Sequence, residues 1–142
     1  AYALLFGTLV SMLTMLVLPG GGLLAVGSGG LTFGQKLASG LGAGLYEELV
    51  FRLLLMGGFI LLFKKCRLKE PNAVAAALLC SSFLFSLVHY VGPYADPLQL
   101  GSFTFRFIAG LVLAGLFAAR GFAVAAWTHS LYDVFLLFAR GE

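Results

Sequence analysis

An all-α bundle of about five transmembrane helices is the fold this sequence predicts, and three observations predict it. Hydrophobic residues make up 61% of the 142 and charged residues only 11%, whereas a soluble domain is roughly 45–50% apolar. The mean hydropathy is +1.01, and the apolar residues gather in stretches near the ~20 residues that cross a bilayer core of about 30 Å. Gly, Pro and clustered charge punctuate those stretches at the spacing that connections between spans require. A chain of this length holds about five spans as one membrane-embedded unit with no second domain, a polytopic bundle. Ala1 in place of an initiator Met is consistent with a fragment of a longer chain.

The first stretch, Tyr2 to Leu18, has no basic segment before it and no small-residue cleavage site after it, so it reads as a span and not a signal peptide. Pro19, Gly20, Gly21 and Gly22 stop that helix, and Gly27 to Gly30 extend an uncharged loop. No Gly-Lys-Ser/Thr follows these glycines, which argues against a phosphate cradle. The second stretch runs from Leu37 to Phe63 and would be about 40 Å long as one helix. Either it tilts strongly, or Gly40, Gly42 and Gly44 break it and the span is Leu45 to Phe63.

Lys64, Lys65, Arg67 and Lys69 close that span, and Pro71 with Asn72 restarts the chain. The third span covers Ala73 to Tyr90, and Gly92, Pro93, Asp96 and Pro97 form an exposed turn after it. The fourth covers Phe103 to Ala119, where Gly110, Ala114 and Ala118 make a small-residue stripe that admits a neighbouring helix closely. Arg120 and Gly121 mark a tight turn into the fifth span, Phe122 to Phe138.

The Lys64 to Lys69 turn and Arg120 carry most of the basic charge, which places those connections in the cytoplasm by the positive-inside rule; Lys36 and Arg140 fit less well. The net charge of +3 is therefore a topological signal. It points to the lipid bilayer as a partner, and no aromatic-basic motif supports nucleic acid. Cys66 and Cys80 have no metal-type spacing and read as structural.

Ionisable residues inside apolar spans are the informative feature, because a charge near the bilayer centre costs roughly 2.5–3.5 kcal/mol even on lenient scales and is kept facing a protein interior. Glu47, Glu48 and Arg52 lie in LYEELVFRLLL, His89 in FLFSLVHY, and His129 and Asp133 in WTHSLYDVF. On a helix Glu48 and Arg52, four apart, face each other, whereas Glu47 is turned about 100° away from Glu48. One carboxylate is thus neutralised while its neighbour stays free for work as a general base. The plainer alternative is that both glutamates only join helices.

Phe85 and His89 share one helix face, as do His129 and Asp133. A lone histidine in an apolar helix is more often a packing residue, but two histidines with three carboxylates in one small bundle are not lone. Glu47 lies 17 residues before Lys64, and His89 lies 17 after Asn72. Straight helices would therefore hold both about 25 Å from the same basic turn.

Glu-Glu-x-x-x-Arg, Phe-x-x-x-His and His-x-x-x-Asp, in this order on separate spans, resemble the CAAX protease and bacteriocin-processing family, also called the ABI family, which includes the CAAX prenyl endopeptidases. The resemblance covers about Leu37 to Phe138; residues 1–36, the first span and its Gly-rich loop, carry no motif. It implies an intramembrane endopeptidase, an integral multi-pass protein of a prokaryotic plasma membrane. Its substrates would be membrane-near proteins or peptides, either prenylated CAAX proteins or leader peptides.

By the same resemblance, Glu47 would activate water and His89 would hold it. Glu48 and Arg52 would form a structural ion pair, and Phe85 would be a further supporting residue. His129 with residue 133 would stabilise the oxyanion. Family members often carry Asn where this chain has Asp133. An ionised aspartate repels an oxyanion, so Asp133 must be protonated, orient His129, or bind a metal.

Glu47, His89, His129 and Asp133 are also the candidate metal ligands, since two histidines and a carboxylate suffice for a catalytic zinc. No His-Glu-x-x-His pair is present, no cofactor is firmly implied, and glutamate-activated water explains the family without one. A proton-coupled transporter is disfavoured by the lack of an inverted repeat. A noncatalytic membrane scaffold is the stronger rival. Orientation is contested: charge counting puts the catalytic cavity nearer the non-cytoplasmic face, whereas prenylated substrates are made in the cytoplasm. The four basic residues between Lys64 and Lys69 weigh more.

Overall fold

The computed structural model describes residues 32–92 and 95–139, and among these every regular element is a helix. The expected first span, its glycine loop, Pro93 and Arg140 lie outside the described residues. Helix α1 (Phe33–Glu48) runs without interruption into a π-helical segment, Leu49–Met56, and then into α2 (Gly57–Lys65). After a turn come α3 (Glu70–Val88), α4 (Leu100–Arg120) and α5 (Phe122–Ala139). Helices α3, α4 and α5 are each long and apolar enough to cross a membrane, matching the third, fourth and fifth expected spans to within a few residues at their ends. The second expected span corresponds to the composite rod α1–π–α2.

Gly40, Gly42 and Gly44 do not break that rod. The irregularity comes later, where the Gly57 amide reaches back to the carbonyls of Arg52 and Leu54. The Arg52 bond spans five residues, and such widened turns recur where a side chain has to be re-aimed. Phe51, Arg52 and Met56 are the residues this segment turns inward.

Local chemistry sets the other boundaries. Lys69 is extended just before α3, and Glu70 and Pro71 occupy the first turn, where an acidic group meets the positive helix end and a missing amide costs nothing. Gly121 has φ 85°, a conformation open to glycine, and as a single residue it separates α4 from α5.

The bundle buries many polar side chains among its apolar ones and exposes large apolar residues. Glu48, Arg52, Ser81, Ser82, Ser86, Ser102, Thr128, His129 and Ser130 are buried, while Leu54, Leu61, Phe83, Trp127, Leu131 and Phe135 are exposed. In water this arrangement would forfeit hydrophobic stabilisation. In lipid it is the favourable one, since apolar side chains match the acyl chains and polar groups find each other. The buried apolar residues form two modest clusters, one around Leu113 and Tyr132 and one around Met56, Ala77 and Ala114.

Small residues bring the helices together. A Cβ on Gly40 would lie 2.8 Å from the Val134 backbone nitrogen, and one on Gly44 would lie 2.5 Å from that of Ser130. Glycine is therefore needed in α1 for contact with α5, not for a bend. The Ser130 hydroxyl donates to the Leu41 carbonyl at 3.1 Å across this crossing. The stripe on α4 holds at Gly110, against Ser82 and Phe85, and at buried Ala114; Ala118 is exposed and takes no part.

Gly44→Ala is expected to destabilise the protein by about 1–3 kcal/mol through this overlap and to lower activity, because the displaced Ser130 adjoins His129. Gly42→Ala, with nothing within 4 Å of its Cβ, is the control, and gains helix propensity of up to about 1 kcal/mol. Thermal unfolding in detergent compares the two; equal midpoints would refute the close-approach account.

Candidate active site

At the junction of α1 and the π segment, Glu48 and Arg52 point into the bundle with fully buried side chains, Glu48 Oε2 standing 3.2 Å from Arg52 Nε. The contact is an ion pair without hydrogen-bond angles, and the terminal nitrogens of Arg52 have no hydrogen-bond partner among the described residues. Its guanidinium instead lies 4.9 Å from the centre of the Phe85 ring, a cation–π contact strengthened by desolvation.

Glu48 does more than pair with Arg52. Its other oxygen, Oε1, accepts from His129 Nδ1 at 3.0 Å. The i,i+4 spacing makes the Arg52 contact legible in sequence, but the His129 contact joins residues 81 apart and carries no local signal. Glu48 thus bridges the first motif to the third.

The opposite nitrogen of His129, Nε2, faces Glu47 Oε2 at 3.8 Å and Asp133 Oδ2 at 3.5 Å. Each ring nitrogen therefore has carboxylate oxygens to receive an N–H. Exposure separates the three acids: the Glu47 and Asp133 side chains are 26% and 25% accessible, whereas Glu48 is sealed. Adjacent glutamates on one helix so acquire different surroundings, one partly accessible and one enclosed with Arg52 and His129.

His89 ends α3 and stands across Phe85 from this cluster. The Phe85 ring meets His89 edge-on at 5.3 Å and His129 at 5.8 Å between centroids, and it also meets Phe51 at 5.3 Å. Phe85 is thus the shared wall of the site. His89 Nδ1 lies 2.8 Å from the Phe85 carbonyl oxygen. A carbonyl only accepts, so Nδ1 carries the hydrogen and Nε2 of the neutral ring keeps its lone pair for another donor. His89 is within electrostatic reach of His129 and Asp133.

The four sequence-predicted working residues are accordingly gathered at one level of the bundle, with Glu47, His129 and Asp133 in direct ion-pair range and His89 joined through Phe85. Among the described residues no three His, Cys, Asp or Glu side chains converge as a metal-ligand set. Both Nδ1 atoms are committed to protein acceptors, and the Nε2 of His129 is turned toward carboxylates. Cys66 and Cys80 are both free thiols.

Arg106, which lies outside the three motifs, also belongs to this region. It interrupts the apolar run FTFRFIAG, the same signal that drew attention to the other buried charges. Its guanidinium pairs with Asp96 and donates to the Tyr90 hydroxyl, and its charge lies within reach of Glu47 and His89. Asp96, expected in an exposed turn, is consequently half-buried.

A family model described as type II CAAX prenyl endopeptidase Rce1-like matches residues 29–135, which takes in all three motifs. No curated protein and no solved structure matches the chain.

Proposed function

The chain belongs to the Rce1-like family of type II CAAX prenyl endopeptidases, and from that premise we propose that it hydrolyses a peptide bond of a membrane-near substrate with water activated by Glu47. Membership makes it a membrane protein of a CAAX-type protease family. The choice of base rests on one observation, the unequal surroundings of the paired glutamates: Glu47 is accessible and Glu48 is enclosed. A general base has to reach water, and a sealed carboxylate that already bridges Arg52 and His129 does not.

In the proposed reaction, water sits between Glu47 and His89. Nε2 of His89 accepts a hydrogen bond from it, since Nδ1 is tied to the Phe85 carbonyl, and Glu47 takes the proton as the oxygen attacks the scissile carbonyl. The oxyanion forms next to His129 Nε2, whose ring Glu48 holds from the far side. A positioned donor of this kind contributes about 2.7–4 kcal/mol. Of the roles open to Asp133, orienting His129 is the one its 3.5 Å approach supports. The steps use these side chains and water alone; among the described residues no three His, Cys, Asp or Glu side chains converge as a metal-ligand set.

Asp133→Asn tests the last assignment. An amide keeps an acceptor oxygen and adds a donor, so the variant should stay within about tenfold of wild type. A neutral amide is a poor zinc ligand; loss of activity accompanied by loss of bound zinc would decide for the metal. Cleavage of prenylated CAAX peptides and of leader peptides by purified protein sorts the substrate classes, and no cleavage of either would favour the scaffold.

A further inference from the structure

Arg106 holds two residues that follow His89 in the chain, Tyr90 and Asp96. Its Nη1 donates to the Tyr90 hydroxyl at 2.9 Å, its Nη2 pairs with the Asp96 carboxylate, and its guanidinium lies 5.2 Å from the centre of the Tyr90 ring. The Asp96 amide in turn donates to the His89 carbonyl at 2.9 Å. Tyr90 and Ser102 hydroxyls bond each other, and Ser102 Oγ donates to the Gln99 carbonyl at 3.1 Å.

Hydrogen-bond bookkeeping gives this network one direction. Ser102 spends its hydrogen on Gln99, so Tyr90 donates to Ser102 and accepts from Arg106. Each hydroxyl along the chain from Arg106 to the Gln99 carbonyl then both donates and accepts. Arg106 is only 15% accessible, and a desolvated, satisfied network of this kind rigidifies what it touches.

We propose that Arg106 is a positioning residue: by fixing Tyr90 and Asp96 it sets the C-terminal end of α3 and so fixes the direction in which Nε2 of His89 points. The inference rests on the reading of His89 as the residue that holds the attacking water. Arg106 needs no contact with substrate to act, because displacing a catalytic group by about 1 Å can cost ~100-fold in rate. Its carboxylate partner Asp96 is supplied by the connection after α3, so the network also ties that connection to α4.

The chain has two histidines, which makes the test direct. Protein labelled with ¹⁵N-histidine gives ring signals for His89 and His129 alone, assigned with His89→Gln. Arg106→Gln and Asp96→Asn should each shift the His89 signals and leave those of His129 in place, and should lower kcat by about 10- to 100-fold with KM changed less than about threefold. Arg106→Lys should restore part of kcat. Asp96, with a side chain 45% accessible, carries the test if Arg106→Gln does not fold. Unmoved His89 signals, or equal shifts of both histidines with loss of helix, would overturn the proposal in favour of general packing. Should His89→Gln keep full activity, the water-holding role fails, while the ring signals still report whether Arg106 governs His89.

Discussion

Glu47→Gln is expected to lower peptide cleavage by about 10²- to 10⁴-fold, the range a general base contributes, with the helical fold intact. Gln matches Glu in shape, and the Glu47 side chain is partly accessible, so its replacement removes the proton acceptor without opening a void. Glu48→Gln is the informative comparison. Its amide oxygen can still accept from His129 Nδ1, which lies 3.0 Å away, but the charge opposite Arg52 is gone. That variant should lose stability more than Glu47→Gln and activity less. Initial rates on a cleaved peptide, with circular dichroism of the same preparations, compare them; full activity in Glu47→Gln would remove Glu47 from the role of base.

Arg52→Ala should be the most destabilising single change, by about 3–5 kcal/mol, because it strands the enclosed Glu48 carboxylate without its cation. It also removes the cation stacked on Phe85, and with it one side of the wall between His89 and His129. Replacing both members of the pair, Glu48→Gln with Arg52→Met, should recover much of that loss, since no uncompensated charge remains and the volume is filled. The measurement is the unfolding midpoint in detergent for the two single variants and the double. A double variant no more stable than Arg52→Ala would mean that the cost lies in packing against Phe85 and not in the stranded charge.

Much of the site was legible because its signals are local. Glu48 with Arg52 and His129 with Asp133 are i,i+4 pairs, and helix periodicity alone puts each pair on one face. Ionisable residues in apolar runs mark an interior because lipid penalises them. Arg106 carried the same mark and was missed, being a single residue without a motif partner nearby in sequence. Its partners Tyr90 and Asp96 belong to another helix end and a connection, and only packing of α3 against α4 shows them.

The composite rod shows where local reasoning fails. In sequence, Gly40, Gly42 and Gly44 left a broken helix and a tilted continuous one both open; backbone entropy is a modest cost, and at Gly40 and Gly44 close packing on α5 outweighs it. The π segment at Leu49–Met56 has no sequence signature of comparable strength. It is set by how the rod satisfies its backbone while turning Phe51, Arg52 and Met56 inward.

By itself the sequence determined the membrane class, the helical composition, the three spans α3, α4 and α5, and the chemical types gathered at the site, since each follows from hydropathy or from neighbours within one turn. Tertiary structure alone decided that Glu48 bridges to His129, that Phe85 walls the site between two histidines, that glycines serve contact instead of breakage, and that Arg106 grips the end of α3. The physical reason is range. Periodicity and desolvation cost act over a few residues of one helix, whereas these four facts depend on which helix faces meet, and that is fixed by packing between distant residues such as Tyr90 and Arg106, 16 apart, and Glu48 and His129, 81 apart.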